Sequence, residues 1–292
     1  MIDVKLKGLT FKNPLLAASG TFSKEQLGFY KDIPFGGVVL KTHTLQERSG
    51  NPGLRIMELP GGMMNSIGLA NPGISELDIF PFVSLDSLLI ASVAILDESE
   101  IEKFTASISQ KEIGIVELNL SCPNIMGKPS LEDLSDIKPL LKSIRAAFAE
   151  TTIWVKLSVF QVKQKNAELL EELGFDGITA INTLPGIDVD IHNRSFKFKN
   201  KVAGLSGRFL LPVGLKAISD LRKWTNLPLI GCGGVFDHED LIKYLMVGAD
   251  LVQLGSGIFS SPKRAEMIIK GLREYLESSN IRHINEIKGV LQ

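Results

Sequence analysis

Pro228-Leu229-Ile230-Gly231-Cys232-Gly233-Gly234 and, one helix-length later, Asp250-Leu251-Val252-Gln253-Leu254-Gly255-Ser256-Gly257 share one design: a short aliphatic run that ends in glycines. Between them, His238–Val247 spaces its apolar residues as a helix does. Runs that are apolar nearly throughout belong to strands covered on both faces, and a helix between two of them makes a parallel crossover unit. Working outward, the same reading gives strands at Pro14–Ala18, Gly37–Leu40, Leu88–Val93, Ile115–Leu120, Ile153–Leu157 and Gly177–Ile181, which with Pro228–Gly231 and Asp250–Leu254 make eight. Amphipathic segments fall between and after them at Glu98–Ser109, Asp133–Phe148, Lys163–Leu173, Pro212–Trp224, His238–Val247 and Lys263–Leu276. Eight such units point to an α/β fold closed into a (β/α)8 TIM barrel, with a short N-terminal hairpin and extra strands and loops on the C-terminal face. The rival, a doubly wound open sheet, is disfavoured because the first strand is not followed by G-x-G-x-x-G.

The chain has 292 residues, which accommodates such a barrel (about 250 residues) as a single domain, 1–292. Hydrophobic residues at 44% and charged residues at 22% are enough for a continuous core. A net charge of -1 supplies no field for nucleic acid or an anionic membrane, so a small substrate is expected. Met1–Lys12 carries neither the apolar core of a signal peptide nor a transit segment, and no run is long enough to span a membrane. Cys122 and Cys232, the only two cysteines, cannot complete a four-cysteine iron–sulfur or zinc site, and a reducing cytoplasm is expected. The histidines at 43, 192, 238 and 283 lack ligand spacing, so no metal is expected.

Three connections exceed ordinary loop length: Thr42–Ser87, Ser121–Ser130 and Thr183–Leu211. All follow strands and therefore belong on the C-terminal face, where this fold gathers its chemistry. The residues at or just after the strand ends are Ser19, Lys41, Ser92, Asn119, Lys156, Asn182, Gly233 and Gly255. Two lysines in such a ring are hard to explain as packing, because lysine is rarely buried without a partner, and with the two asparagines they point to an anionic ligand. The glycines after the seventh and eighth strands let backbone N–H groups approach a phosphate, although tight turns use glycine as well.

Asn119-Leu120-Ser121-Cys122-Pro123-Asn124 leaves a strand, sets a thiol on the next loop and flanks it with carboxamides. Lone cysteines are more often buried apolar groups, and Cys232 keeps that reading; Cys122, over the proposed mouth, is the candidate catalyst. Gly61–Gly73 offers backbone and amide hydrogen bonds to a planar ligand, or is a flexible turn with Met63 and Met64 in the core. The basic run His192–Lys201 has little aromatic interleaving beyond Phe196 and Phe198, which favours a solvated hairpin over an RNA site.

Together with Ala18-Ser19-Gly20, Lys41-Thr42, Asn65–Leu69 with Asn71-Pro72-Gly73, Val155-Lys156-Leu157, Ile181-Asn182-Thr183-Leu184, Gly204-Leu205-Ser206-Gly207, Gly233-Gly234 and Leu254-Gly255, the motif Asn119–Asn124 resembles the class 1 (soluble) dihydroorotate dehydrogenases, from Val4 to about Gly289. The resemblance implies FMN-dependent oxidation of dihydroorotate to orotate in pyrimidine biosynthesis, with Cys122 removing the carbon-5 proton while hydride passes to flavin N5. It implies orotate at Lys41, Asn65, the backbone of Ile67, Gly68 and Leu69, Asn119, Asn124, Asn182 and Thr183. It implies FMN at Ser19, Lys41, Thr42, Ser92, Asn119, Lys156, Ile181, Gly207, Gly233, Gly234, Gly255 and Ser256, the last four around its phosphate. The membrane-associated class has serine as base and an N-terminal extension, and neither is seen here.

Ser92 stands where the family usually has asparagine, Ala203 where glycine is common and Ser256 where threonine is usual. Ile181–Leu184 looks like the NAD-linked type, whereas Pro123–Pro129 looks like the fumarate-linked type. NAD linkage would require a second subunit carrying FAD and an iron–sulfur cluster, and the family leads us to expect a homodimer. Two rival readings remain: a flavin-dependent reductase of pyrimidines or of tRNA uridine, and an inactive barrel serving as a binding subunit.

Overall fold

The computed structural model describes residues 2–26, 35–82, 85–120, 131–261 and 263–292; Cys122 and Asn124 lie outside them. In chain order the described strands are β1 (Val4–Leu6), β2 (Leu9–Phe11), β3 (Leu15–Ala17), β4 (Gly37–Val39), β5 (Ile56–Leu59), β6 (Gly62–Asn65), β7 (Leu88–Val93) and β8 (Ile115–Asn119). There follow β9 (Thr152–Leu157), β10 (Gly177–Ala180), β11 (Leu184–Ile187), β12 (Val189–Asp190), β13 (Ser195–Phe196), β14 (Val202–Gly207), β15 (Leu229–Cys232) and β16 (Leu251–Leu254). The described α-helices are α1 (Ile101–Gln110), α2 (Lys138–Ala147), α3 (Gln164–Glu172), α4 (Leu211–Trp224), α5 (His238–Met246), α6 (Gly257–Ser260) and α7 (Arg264–Ser278).

Strands β3, β4, β7, β8, β9, β10, β15 and β16 close into a barrel in that cyclic order, each pair parallel. These are the eight strands expected from the sequence, with ends displaced by a residue at most. The agreement has a simple cause: β3, β4, β8, β10, β15 and β16 are buried at every position, so hydrophobicity alone marks them. The helices cover them through one apolar face each; α1 buries Ile101, Phe104 and Ile108. Helix α5 starts at Asp237, whose carboxylate accepts from the Asp240 backbone N–H while Asp240 reaches back, a reciprocal cap that fixes where the helix begins after β15.

The expected N-terminal hairpin is β1 paired antiparallel with β2. Two long connections do more than loop. They meet in an antiparallel sheet of order β11-β14-β6-β5, with Gly204 opposite Asn65. Met64 is buried there with Phe198 and Ala203, so Gly61–Gly73 contributes a strand rather than a flexible turn. The basic run is a short exposed hairpin of β12 and β13, as expected, except that Phe198 turns back into the small core. Among the described residues no helix is long and apolar enough to cross a membrane.

Candidate active site

The barrel's C-terminal end assembles the polar ring from separate strands. Ser19 lies beyond β3, and its hydroxyl donates to the Leu40 carbonyl at 2.8 Å and sits 3.1 Å from Thr42 Oγ1. Thr42 Oγ1 is 2.8 Å from Ser92 Oγ on β7 and accepts from Asn119 Nδ2 on β8 at 3.5 Å. Asn182, just past β10, donates through Nδ2 to Asn119 Oδ1 at 3.5 Å. Five strand ends are therefore joined by side-chain hydrogen bonds, and Ser92, Asn119 and Lys156 lie within their strands.

Lys41 follows β4 in the same ring. Among the described residues its ammonium pairs with no carboxylate, and burial pushes its pKa down. His43 is held with its Nδ1 2.7 Å from the Lys41 carbonyl and its backbone N–H on the Ser92 carbonyl at 2.9 Å, and burial pulls its pKa down too. The chain carrying Lys41 is thus anchored on both sides. A partly desolvated cation without an internal counter-charge is a seat for an anion.

The antiparallel sheet brings Asn65 and Thr183 over this ring. Asn65 Nδ2 donates to the Gly204 carbonyl at 3.3 Å, and the Thr183 backbone N–H donates to Asn182 Oδ1 at 2.7 Å. The Ile67–Leu69 backbone is fixed from below by Asn71, whose Nδ2 donates to the Leu69 carbonyl at 2.7 Å and to Thr44 Oγ1 at 2.8 Å. Its Oδ1 accepts from the Thr44 and Gly73 N–H groups. Gly68 and Leu69 both have positive φ, and Asn51 packs against this turn, its backbone N–H donating to the Ile67 carbonyl at 3.1 Å.

The glycines divide by cause. A Cβ at Gly231 would stand 2.3 Å from the Tyr244 ring, and one at Gly234 would stand 2.2 Å from the Leu211 nitrogen, so the fold itself requires both. At Gly207 the φ is +151° and a Cβ would meet the Gly61 carbonyl at 2.5 Å. A Cβ at Gly255 would meet only Ala18 Cβ, at 3.9 Å, and at Gly233 nothing closer than 3.6 Å. Among the described residues both positions leave room for a methyl where the phosphate was expected, although the φ of +121° at Gly233 itself favours glycine. Ser256 opens α6, and the Ile181 backbone N–H, after β10, donates to the Cys232 carbonyl at 2.8 Å.

Lys156, expected at the flavin, belongs to a deeper layer whose other members the sequence reading missed. Glu117, Lys156, Thr179 and Gln253 come from β8, β9, β10 and β16 and meet inside the barrel. Lys156 Nζ donates to Gln253 Oε1 at 2.9 Å and lies 3.5 Å from Glu117 Oε1. Thr179 Oγ1 donates to Glu117 Oε2 at 2.9 Å, and Gln253 Nε2 donates to the same oxygen at 2.5 Å. Burial pulls Lys156 down, but the Glu117 carboxylate and, less, Cys232 carry its pKa above the ordinary lysine value. Cys232, buried as expected, is pushed up by burial. The missed signal was a charged or amide residue inside each otherwise apolar run, Val116-Glu117-Leu118 and Val252-Gln253-Leu254.

The family model for dihydroorotate dehydrogenase matches residues 1–276. A relative from Petrotoga mobilis, named the catalytic subunit of dihydroorotate dehydrogenase B (NAD(+)), is 38% identical over the full length of both chains. One of the same name from Oceanobacillus iheyensis is 36% identical over 98% of this chain and 97% of its own. A solved dihydroorotate dehydrogenase from Eimeria tenella, in complex with ferulenol, superposes with a TM-score of 0.78 over 99% of this chain and 88% of its own, at 24% identity, which supports the barrel. With a family model spanning nearly all of it and full-length relatives above a third identical, the chain belongs to the dihydroorotate dehydrogenase family, in its class 1 branch.

Proposed function

We propose that this chain oxidises dihydroorotate to orotate with FMN, as the catalytic subunit of an NAD-linked enzyme. The observation that carries the reading is Lys41: a partly buried ammonium without a carboxylate partner among the described residues, one residue before Thr42, which Asn119 and through it Asn182 tie into the same ring. A flat ring bearing a carboxylate and amides would bring a negative charge to Lys41 and in-plane donors and acceptors to the neighbouring carboxamides.

The residues present also fit a flavin phosphate ester. Among the described residues a Cβ at Gly233 or Gly255 would meet nothing closer than 3.6 Å, Ser256 stands at the start of α6, and Lys156 is a second buried cation below the mouth. FMN, when bound, supplies the two-electron acceptor. The protein's own part is to hold the ring through Ser19, Thr42, Ser92, Asn119, Ile181 and Gly207, to seat the substrate with Lys41, Asn65, Ile67–Leu69, Asn119, Asn124, Asn182 and Thr183, and to remove the carbon-5 proton with Cys122.

NAD linkage is supported by the names of the relatives and by Ile181–Leu184; the partner would carry FAD and an iron–sulfur cluster, and the catalytic chain would pair with a second copy of itself. Anaerobic mixing of the purified chain with dihydroorotate, followed by flavin absorbance, tests the core of the reading: a yellow protein should bleach. The chain alone should then reduce a dye but not NAD. Turnover with fumarate would instead favour the type that Pro123–Pro129 resembles.

A further inference from the structure

Residues i and i+2 of a strand share a face, so Glu117 lies on the same inward face of β8 as Asn119, one step deeper in the barrel. Its carboxylate is fully buried, and its two oxygens are used differently. Oε2 is taken by Thr179 and Gln253, while Oε1 has no hydrogen-bond partner among the described residues and lies 3.5 Å from the Lys156 ammonium. Gln253 closes the loop by accepting from Lys156 with one end of its amide and donating to Glu117 with the other. Lys156 is itself only 5% exposed, and the groups that face it are Glu117 from β8, Gln253 from β16 and, as a further titratable group, Cys232 from β15.

A lysine this deep would shed its proton without a counter-charge, since burial disfavours the ammonium. A neutral Lys156 could not offset the negative charge that a flavin gains on reduction. We infer that Glu117 is a positioning residue for the redox chemistry: it keeps the Lys156 ammonium charged and, through Gln253, holds it in place beneath the mouth, so that Lys156 favours the reduced cofactor.

The inference rests on the flavin reading above and is separable from it. Dye-equilibrated reduction of the FMN-loaded protein gives the flavin midpoint across pH. In Glu117→Gln the reduced form should be disfavoured at least tenfold, about 30 mV for a two-electron couple, with the gap to wild type widening as pH rises. In a Lys156→Met background, adding Glu117→Gln should change nothing further, because the effect passes through the lysine. A midpoint in Glu117→Gln that is unmoved or raised overturns the inference, as does an equal drop in both backgrounds. Should Glu117→Gln not fold, Gln253→Met, which removes the amide bridging the pair, should lower the midpoint in the same sense, and an unmoved value overturns the inference as well. A wild-type protein that takes up no flavin sinks the flavin reading itself and this inference with it.

Discussion

Thr42 and Ser92 share a buried hydrogen bond of 2.8 Å between their hydroxyls, linking the end of β4 to β7 at the mouth of the barrel. Ser92 stands where asparagine was expected, and the contact explains how the shorter side chain is satisfied: it meets a hydroxyl already held near Ser19 and Asn119. Ser92→Ala should cost about 1 kcal/mol, the usual worth of such a bond, read as a lower urea midpoint of the apoprotein. An unaltered midpoint would mean that Thr42 is satisfied without it.

Cys122→Ala should slow flavin reduction by dihydroorotate about 10²–10⁴-fold, the range for loss of a general base, while FMN stays bound. Stopped-flow bleaching measures it, and an unchanged rate removes Cys122 from the mechanism. A free thiol is mostly protonated at neutral pH, so the wild-type rate should climb with pH toward a plateau.

Lys41 gives a pH dependence whose sign follows from burial. Its folded pKa is depressed, so between that value and the ordinary lysine value the unfolded chain binds more protons, and apoprotein stability should rise with pH through this window. A bound carboxylate restores the proton. Orotate binding should therefore take up protons in the same alkaline window and weaken as pH rises through it. Calorimetry in buffers of different ionisation enthalpy measures the uptake. Lys41→Ala should abolish it and weaken orotate by about 2–5 kcal/mol, as truncation of one partner of a buried charged pair does.

Gly255 and Gly204 separate ligand space from protein packing. Gly255→Ala should leave the apoprotein melting temperature within a degree or so while weakening FMN, because the added methyl meets only Ala18 Cβ at 3.9 Å. Equal FMN affinity would place the phosphate elsewhere.

In Gly204→Ala the methyl would stand 2.3 Å from Thr183 Oγ1, so Thr183 must move. Overpacking of this kind costs about 1–3 kcal/mol, and orotate affinity should fall with it. Thermal melts and orotate titration of the same preparation read both effects.

The eight barrel strands were legible because each is a short apolar run, buried throughout or at all but its first one or two residues and punctuated by glycine or a polar residue, a pattern that belongs to the residues themselves. Closure then put Ser19, Lys41, Asn119 and Asn182 at one mouth, since all strands of a parallel barrel end on the same side. Extra strands on the C-terminal face were expected, but the pairing that brings Asn65 to Gly204, beside Thr183, was not legible. This pairing joins residues 139 apart in sequence, and antiparallel register across that distance leaves no local mark.

The cause of each glycine was equally hidden. Gly231, Gly233, Gly234 and Gly255 read alike in one dimension, yet Tyr244 and Leu211 demand two of them, the backbone φ of +121° demands Gly233, and Gly255 leaves space. The sequence alone determined the barrel strands, the helices between them and the polar residues of the rim, because those follow from local hydrophobicity and from where strands stop. Only the tertiary structure decided that Glu117 and Gln253 face Lys156, because which side chains share a layer depends on the stagger between strands, a property of the closed barrel and not of any segment in it.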